Sequence, residues 1–379
     1  MSLAYPFLKF IMGQTLSEPV TTKDSACSGN AAYRVGSSCM QGWRVEMEDA
    51  HTHILALPED PQAAFFAVYD GHGGAGVAKF AGKHLHKFVT KRPEYRDNGV
   101  EVALKRAFLD FDREMLHNGS FGEQSAGSTA VVVLIRERRL YCANAGDSRA
   151  IACVAGVVQA LSVDHKPNDL VETRRILAGG GWVEFNRVNG NLALSRALGD
   201  FVYKKNALKS PEEQIVTANP DVEVRDIGED WEFVLLACDG IWDVMSSAEV
   251  GHFVRRRICD GLEPDAICEE LMNNCLSPDG QSSGLGGDNM TVILVCLLHH
   301  KSYEDLVVRC GGKRKATSVE TVGDIKEQPV LKVVPPYSQG SSGTGMGMGM
   351  GMGTGTGTGS SSSRLGLGLG LRDSPREKS

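Results

Sequence analysis

The stretch Phe65-Phe-Ala-Val-Tyr-Asp70-Gly71 recurs in design as Phe233-Val-Leu-Leu-Ala-Cys-Asp239-Gly240. Each reads as an apolar strand that ends in a carboxylate and a glycine. Asp288-Asn289 is the mirror case, an acid placed directly before the apolar run that begins at Met290. A single Asp-Gly pair is only a turn dipeptide. Two on apolar strands, with a third acid at a strand start, can bring three carboxylates to one edge of a sheet. Hard oxygen ligands of this kind select Mg²⁺ or Mn²⁺ over zinc. The glycine after Asp70 lets the backbone approach an ion closely.

Two neighbouring features support that reading. Arg44-Val-Glu46-Met-Glu48-Asp49-Ala-His51, read as an extended chain, alternates its side chains. Arg44, Glu46 and Glu48 then share one face, which suits an anion site beside a metal site; a solvated edge strand is the plain alternative. His72 follows Asp70-Gly71 directly, and an imidazole beside a metal ligand is a candidate proton donor. The glycines around it match neither the dinucleotide fingerprint nor a P-loop.

Further strands are predicted over Thr129–Ile135, Leu140–Ala145, Ala150–Val154, Val222–Ile227 and Met290–Leu298, separated by short turns that favour antiparallel pairing. Helical periodicity marks Ala75–Thr90, Val100–His117 and Asp169–Leu177, and cap or first-turn residues open two more at Ser246/Ser247 and Pro264. The fold class is α+β, sheets with helices laid outside.

Composition narrows the function. With 40 Lys+Arg against 47 Asp+Glu the net charge is −7, which argues against a nucleic-acid binder. The apolar run near the end of the core is far shorter than the about 20 residues of a membrane span. The ten cysteines form no CxxC pair and read as reduced thiols. The predicted organisation is an N-terminal extension over 1–30, a folded domain over 31–300, a polar connector over 301–339 and a Gly-rich low-complexity tail over 340–379.

The motifs Gln41-Gly-Trp-Arg-Val-Glu-Met-Glu-Asp-Ala-His51, Val68-Tyr-Asp-Gly-His-Gly-Gly74, Gly127-Ser-Thr-Ala130, Ala143-Asn-Ala-Gly-Asp-Ser-Arg149, Asp164-His-Lys-Pro167, Leu194-Ser-Arg-Ala-Leu-Gly-Asp200, Cys238-Asp-Gly-Ile-Trp-Asp243 and Gly287-Asp-Asn-Met-Thr291 occur in this order. Together they resemble the metal-dependent protein serine/threonine phosphatases of type 2C over roughly residues 30–300. The resemblance implies a central sandwich of two antiparallel β-sheets flanked by helices, with a dinuclear metal site at one end. It implies that Asp70 bridges two Mn²⁺ or Mg²⁺ ions, that the Gly71 carbonyl binds one and that Asp239 and Asp288 hold the other. Glu48 then acts mostly through metal-bound water, with Asp49 in support. Arg44 grips the substrate phosphate and His72 protonates the leaving alcohol. Asp147 and Asp243 match a third metal site seen in some members, and Arg196 is expected to shape substrate access. The expected function is hydrolysis of phosphoserine and phosphothreonine in phosphoproteins. A non-catalytic phosphatase-like scaffold and a metal-dependent nuclease are the rival readings.

Met12-Gly13-Gln-Thr-Leu-Ser17 fits an N-myristoylation signal if translation starts at Met12. Gly13 is then a lipidation site and the one route to membrane contact. The expectation is a monomeric cytoplasmic protein, with nuclear or peripheral-membrane placement as alternatives.

Overall fold

The computed structural model describes residues 15–117, 121, 126–279 and 285–313. Six strands form one sheet in the order β1 (Thr15–Gly29), β2 (Tyr33–Arg44), β16 (Met290–Leu297), β15 (Trp231–Ala237), β9 (Arg149–Val154) and β10 (Val157–Ala160). Five form a second sheet in the order β14 (Asp221–Asp226), β8 (Arg139–Ala145), β7 (Ala130–Arg136), β4 (Ala63–Tyr69) and β3 (Ala50–Ile54). All their pairings are antiparallel. Two small sheets complete the set: β5 (Gly71–His72), β6 (Gly127–Ser128) and β13 (Leu198–Gly199) form one, and β11 (Val183–Glu184) with β12 (Arg187–Val188) the other.

The side chains of β4 divide by parity. Ala64, Phe66 and Val68 enter the core between the two large sheets, where they meet Val234, Leu236, Ile293 and Val295. Phe65, Ala67 and Tyr69 face the helices α1 (Gly76–Lys91) and α3 (Val100–His117), which are joined by the short α2 (Pro93–Arg96). On the far side, Phe233, Leu235, Val292 and Leu294 pack beneath α6 (Ser247–Cys259) and α7 (Pro264–Cys275). Helix, sheet, sheet, helix is thus the layer order. Strands buried on both faces must be apolar throughout, which is why these runs are continuous rather than alternating.

The helix signals hold. Ser246 and Glu249 form a reciprocal capping box at the start of α6, and Pro264 stands in the first turn of α7. Gly180, at φ 98°, ends α4 (Leu170–Gly179). A single-turn helix, α5 (Asp239–Trp242), follows β15.

Three expectations change. Residues 15–29, read as part of a loose extension, form β1, an edge strand paired along β2. Its polar sequence, Pro19 and register shifts conceal it, features that also protect an edge. The fold also continues past 300: α8 (Tyr303–Arg309) is capped by Ser302 and Asp305 and buries Leu306 and Val307. Arg309 donates to the carbonyls of Trp231 and Leu297, fastening α8 to the six-stranded sheet. Lastly, the chain bends at Val45–Glu46 instead of continuing as a strand. Gly13 and the 340–379 tail lie outside the described residues. Among the described residues, no helix is long and apolar enough to cross a membrane.

Candidate active site

Antiparallel register brings the three strand-end acids together. Ala237 pairs with Val292, so Asp239, just past the end of β15, and Asp288, just before β16, lie at the same end of the sheet. Asp70 leaves β4 at that end, its N–H donating to Thr129 Oγ1 at 3.1 Å and its carbonyl accepting from the Thr129 N–H at 2.8 Å. Ligand atoms of Asp49, Asp70 and Cys238 lie within 4.8 Å of one another.

The bend after Arg44 is shaped by Asn289. Its side-chain nitrogen donates to the carbonyls of Gln41 and Glu46, and its oxygen accepts from the Glu48 N–H at 2.9 Å. Arg44, Glu46 and Glu48 therefore do not share a face: Glu46 turns outward, while Glu48 accepts from the Gly74 N–H. Arg44 Nη2 meets Asp288 Oδ2 at 2.5 Å, and its side chain keeps 43% of its exposure. Asp49 is buried, with Oδ2 accepting from Thr291 Oγ1 at 2.6 Å and Oδ1 without a partner. Gly71 must be glycine, because a Cβ there would stand 2.3 Å from the Glu48 carbonyl oxygen.

Electrostatics marks this end as short of positive charge. Burial, then repulsion from Asp239, Asp49 and Asp288, pushes the Asp70 carboxyl well above its ordinary value. Asp239 is raised in the same way by burial and by Asp147, Asp288 and Asp243. Burial alone is the main reason that Asp49 is pushed up to about 7. The nearby cations Arg44, Lys166 and Arg149 are already engaged, with Asp288, Asp147 and Asp164 respectively. Among the described residues, neither Asp70 nor Asp239 receives a side-chain hydrogen bond. Such a set fits divalent cations: oxygen donors, excess negative charge and an orphaned buried Asp49 Oδ1. Burial and the charges of Asp49, Asp70 and Asp239 push the neighbouring Cys238 thiol up, and a soft sulfur is a poor match for the hard cations that the carboxylates select.

His72 Nε2 lies 2.8 Å from Asp200 Oδ2. Burial disfavours the charged ring, but the charge and hydrogen bond of Asp200 prevail and its pKa is raised. Asp147 and Asp243 stand at the same end, where Lys166 Nζ holds Asp147 Oδ2 at 2.5 Å.

One expectation fails. Arg196 does not line the approach to the site: it is 8% exposed. Its guanidinium is spent on Glu172, Asp221 and the Asn219 carbonyl. Sequence reasoning also passed over Asn289, Asp200 and Lys166 as functional, although each sits inside a quoted motif. Their roles depend on partners far away in the chain. A cavity of about 360 Å³ lies beside the β7–β8 turn at the opposite end. Its Arg136, Arg138 and Arg139 are each paired, with Asp60, Glu229 and Asp226.

The family described as protein phosphatase 2C matches residues 33–284. A probable protein phosphatase 2C of Caenorhabditis elegans is 56% identical over 308 residues, spanning 81% of this chain and 86% of the relative. Protein phosphatase 2C homolog 3 of Schizosaccharomyces pombe is 52% identical, over 76% of this chain and 70% of its own. A crystal structure of a phosphatase from Toxoplasma gondii superposes with a TM-score of 0.63 at 27% identity, covering 73% of this chain and 96% of that one.

Proposed function

Since this chain belongs to the protein phosphatase 2C family and is a metal-dependent protein serine/threonine phosphatase, we propose which of its residues perform the hydrolysis. Asp70, the Gly71 carbonyl, Asp239 and Asp288 hold two divalent cations, Mn²⁺ or Mg²⁺, with Glu48 and Asp49 in support. The single observation that carries this assignment is the set of half-buried carboxylates gathered at one end of the sandwich, mutually repelling and short of cations. When bound, such ions neutralise a phosphate's charge and lower the pKa of water enough to supply a nucleophile at neutral pH.

The chain's own residues do the rest. Arg44 is tethered to Asp288 through one nitrogen, which leaves part of its planar fork for two phosphate oxygens, a geometry lysine cannot reproduce. His72 supplies the proton that an alkoxide leaving group requires. A third ion at Asp147 and Asp243 has to compete with the Lys166 ammonium for Asp147. Cytoplasmic placement, a monomeric state and acylation of Gly13 are proposals from sequence alone.

The test is dephosphorylation of a phosphothreonine peptide together with calorimetric titration of Mn²⁺ and Mg²⁺. We expect two equivalents of ion to bind and chelator to abolish turnover. Full turnover in excess chelator would refute the assignment.

A further inference from the structure

The contact between His72 and Asp200 fixes more than the position of a ring. An imidazole has two nitrogens, and the bond made by one decides the role of the other. Nε2 is committed to Asp200 Oδ2 at 2.8 Å. Nδ1 has no partner among the described residues. A carboxylate only accepts, so Nε2 carries a hydrogen in every state in which this contact persists. The proton that leaves the ring must then leave from Nδ1.

The surroundings hold Asp200 in place. It sits in the left-handed region at φ 50°, which costs a non-glycine residue energy and persists only when neighbours enforce it. Its N–H donates to the Ala126 carbonyl at 2.9 Å, and its own carbonyl accepts from the Tyr203 N–H at 3.0 Å. Just before it, the Gly199 N–H donates to Asp112 Oδ1 at 2.7 Å. Just after it, Lys204 Nζ donates both to Asp112 Oδ2 and to the Ala197 carbonyl, each at 2.8 Å. Asp112, buried on α3, thus braces the loop on both sides of Asp200. Gly127 leaves the room: a Cβ there would stand 2.4 Å from Asp200 Oδ2 and 2.5 Å from His72 Nε2. Buried Asp112, a strained Asp200 and an obligatory glycine all converge on one hydrogen bond.

We propose that Asp200, braced by Asp112 and Lys204, is a positioning residue that holds His72 with hydrogen on Nε2, so that Nδ1 is the atom that protonates the leaving oxygen. The proposal rests on the reading of His72 as proton donor. In the step, a water oxygen forms a bond to phosphorus and loses a proton to solvent, while the P–O bond to the seryl or threonyl oxygen breaks and its electron pair stays on that oxygen. The oxygen takes the proton from Nδ1. The ring is left neutral, still donating Nε2–H to Asp200, and regains a proton from solvent.

The test compares a phosphothreonine peptide, whose alkoxide needs a proton, with p-nitrophenyl phosphate, whose phenolate does not. Wild type, His72→Gln, Asp200→Asn and the double variant are measured as full chains loaded with Mg²⁺. Asn keeps the tolerance for a left-handed backbone but loses the charge, and its amide can turn a donor toward the ring. We expect Asp200→Asn to lower kcat on the peptide by about 10²-fold, within the worth of general acid catalysis, and on the aryl ester by less than about threefold. The double variant should be no worse than His72→Gln alone. Equal losses on both substrates for Asp200→Asn, or multiplying losses in the double variant, would overturn the proposal. If His72→Gln itself shows no leaving-group dependence, the donor reading fails instead, which separates the two. Nitrogen-15 NMR of the His72 ring in the unaltered Mg²⁺ protein provides a readout that needs no variant. With the pH taken high enough to leave the ring neutral, its single proton is expected on Nε2, and a neutral ring carrying that proton on Nδ1 would end the proposal.

Discussion

Two sets of clustered acids in this domain are treated in opposite ways. At the open end of the sandwich, Asp70 and Asp239 are crowded by other aspartates and their pKa values rise. On α4, Glu172 is more fully enclosed, 2% exposed, yet its pKa falls. Burial pushes the Glu172 carboxyl up, but the hydrogen bond from Arg196 and the charges of Arg175 and Arg196 outweigh it and hold the group at about 2. Ser195 Oγ donates as well, at 2.7 Å. Asp221 is lowered by His165 and, across the same network, by Arg196. A buried acid whose neutralising partners come from the chain itself is part of the scaffold. One whose neighbours are other acids is built for a cation from outside.

The largest expected effect breaks the paired set. Glu172→Gln leaves Arg196 and Arg175 without their shared counter-charge in a dry site, and should cost about 3–5 kcal/mol of stability. Chemical denaturation measures it; a loss under about 1 kcal/mol would mean that water reaches the network and screens it.

Asp239→Asn addresses the unpaired set and should act in two directions. Activity should fall by more than about 10²-fold, since even residues behind a metal's ligands cost 10–100-fold. The metal-free protein should melt higher than wild type, because one repelling charge is gone. Each kcal/mol relieved corresponds to roughly 2–4 °C in a domain of this size class. A lower melting temperature in chelator would show that Asp239 is already neutralised within the fold.

A pH series sharpens the contrast. A carboxyl raised by folding binds protons that the unfolded chain has released, so its penalty is present at neutral pH and is relieved on acidification. In chelator, stability should therefore rise as pH falls from about 7 to about 5, through the raised value of Asp49 and toward the ordinary carboxylate range. Glu172, lowered to about 2, contributes unchanged stability across that window and loses it only in stronger acid. Saturating Mg²⁺ should remove the rise. Calorimetric melting at several pH values, with and without Mg²⁺, checks both halves; a fall in melting temperature between pH 7 and 5 in chelator would contradict the account.

The smallest effect lies at the rim of the paired set. The Asp221 side chain is 68% exposed, so solvent screens its bonds to Arg196 and His165. Asp221→Asn should cost under about 1 kcal/mol. A loss as large as that of Glu172→Gln would show that pairing, rather than burial, governs this network.

Much of the unpaired set was legible in the sequence. Asp70, Asp239 and Asp288 each stand at the boundary of an apolar strand, and strand boundaries collect at sheet ends by geometry alone. The paired set and the clamps were not legible. His72 meets Asp200, Asn289 fixes the bend at Glu46 and Arg196 disappears into Glu172 only after the sheets have stacked. No periodicity of 2 or 3.6 encodes such contacts. Strand β2 escaped prediction for a related reason: Gly36-Ser-Ser38 looks like loop, but α7 lies so close that a Cβ on Gly36 would stand 2.2 Å from its first turn. Likewise β1 and α8 carry too little apolar character to announce themselves: β1 is the outer strand of a hairpin with β2, and α8 is fastened by Arg309 to the carbonyls of Trp231 and Leu297.

Strand β16 sits between β2 and β15 in the six-stranded sheet, although among the described residues it is the last strand to be synthesised. While the ribosome works from Ala237 toward Leu297, the sheet exists in two pieces, and β2 and β15 each offer an open edge. At about 5–20 residues per second this exposure lasts on the order of seconds, a period in which a chaperone, or another nascent chain, can engage those edges. Asp288 arrives with the strand that closes the gap. With Asp288 in its proposed role at the metal site, catalytic competence and protection from aggregation are acquired in one event, and a messenger cut short before that codon is expected to yield a chain that is both inert and adhesive.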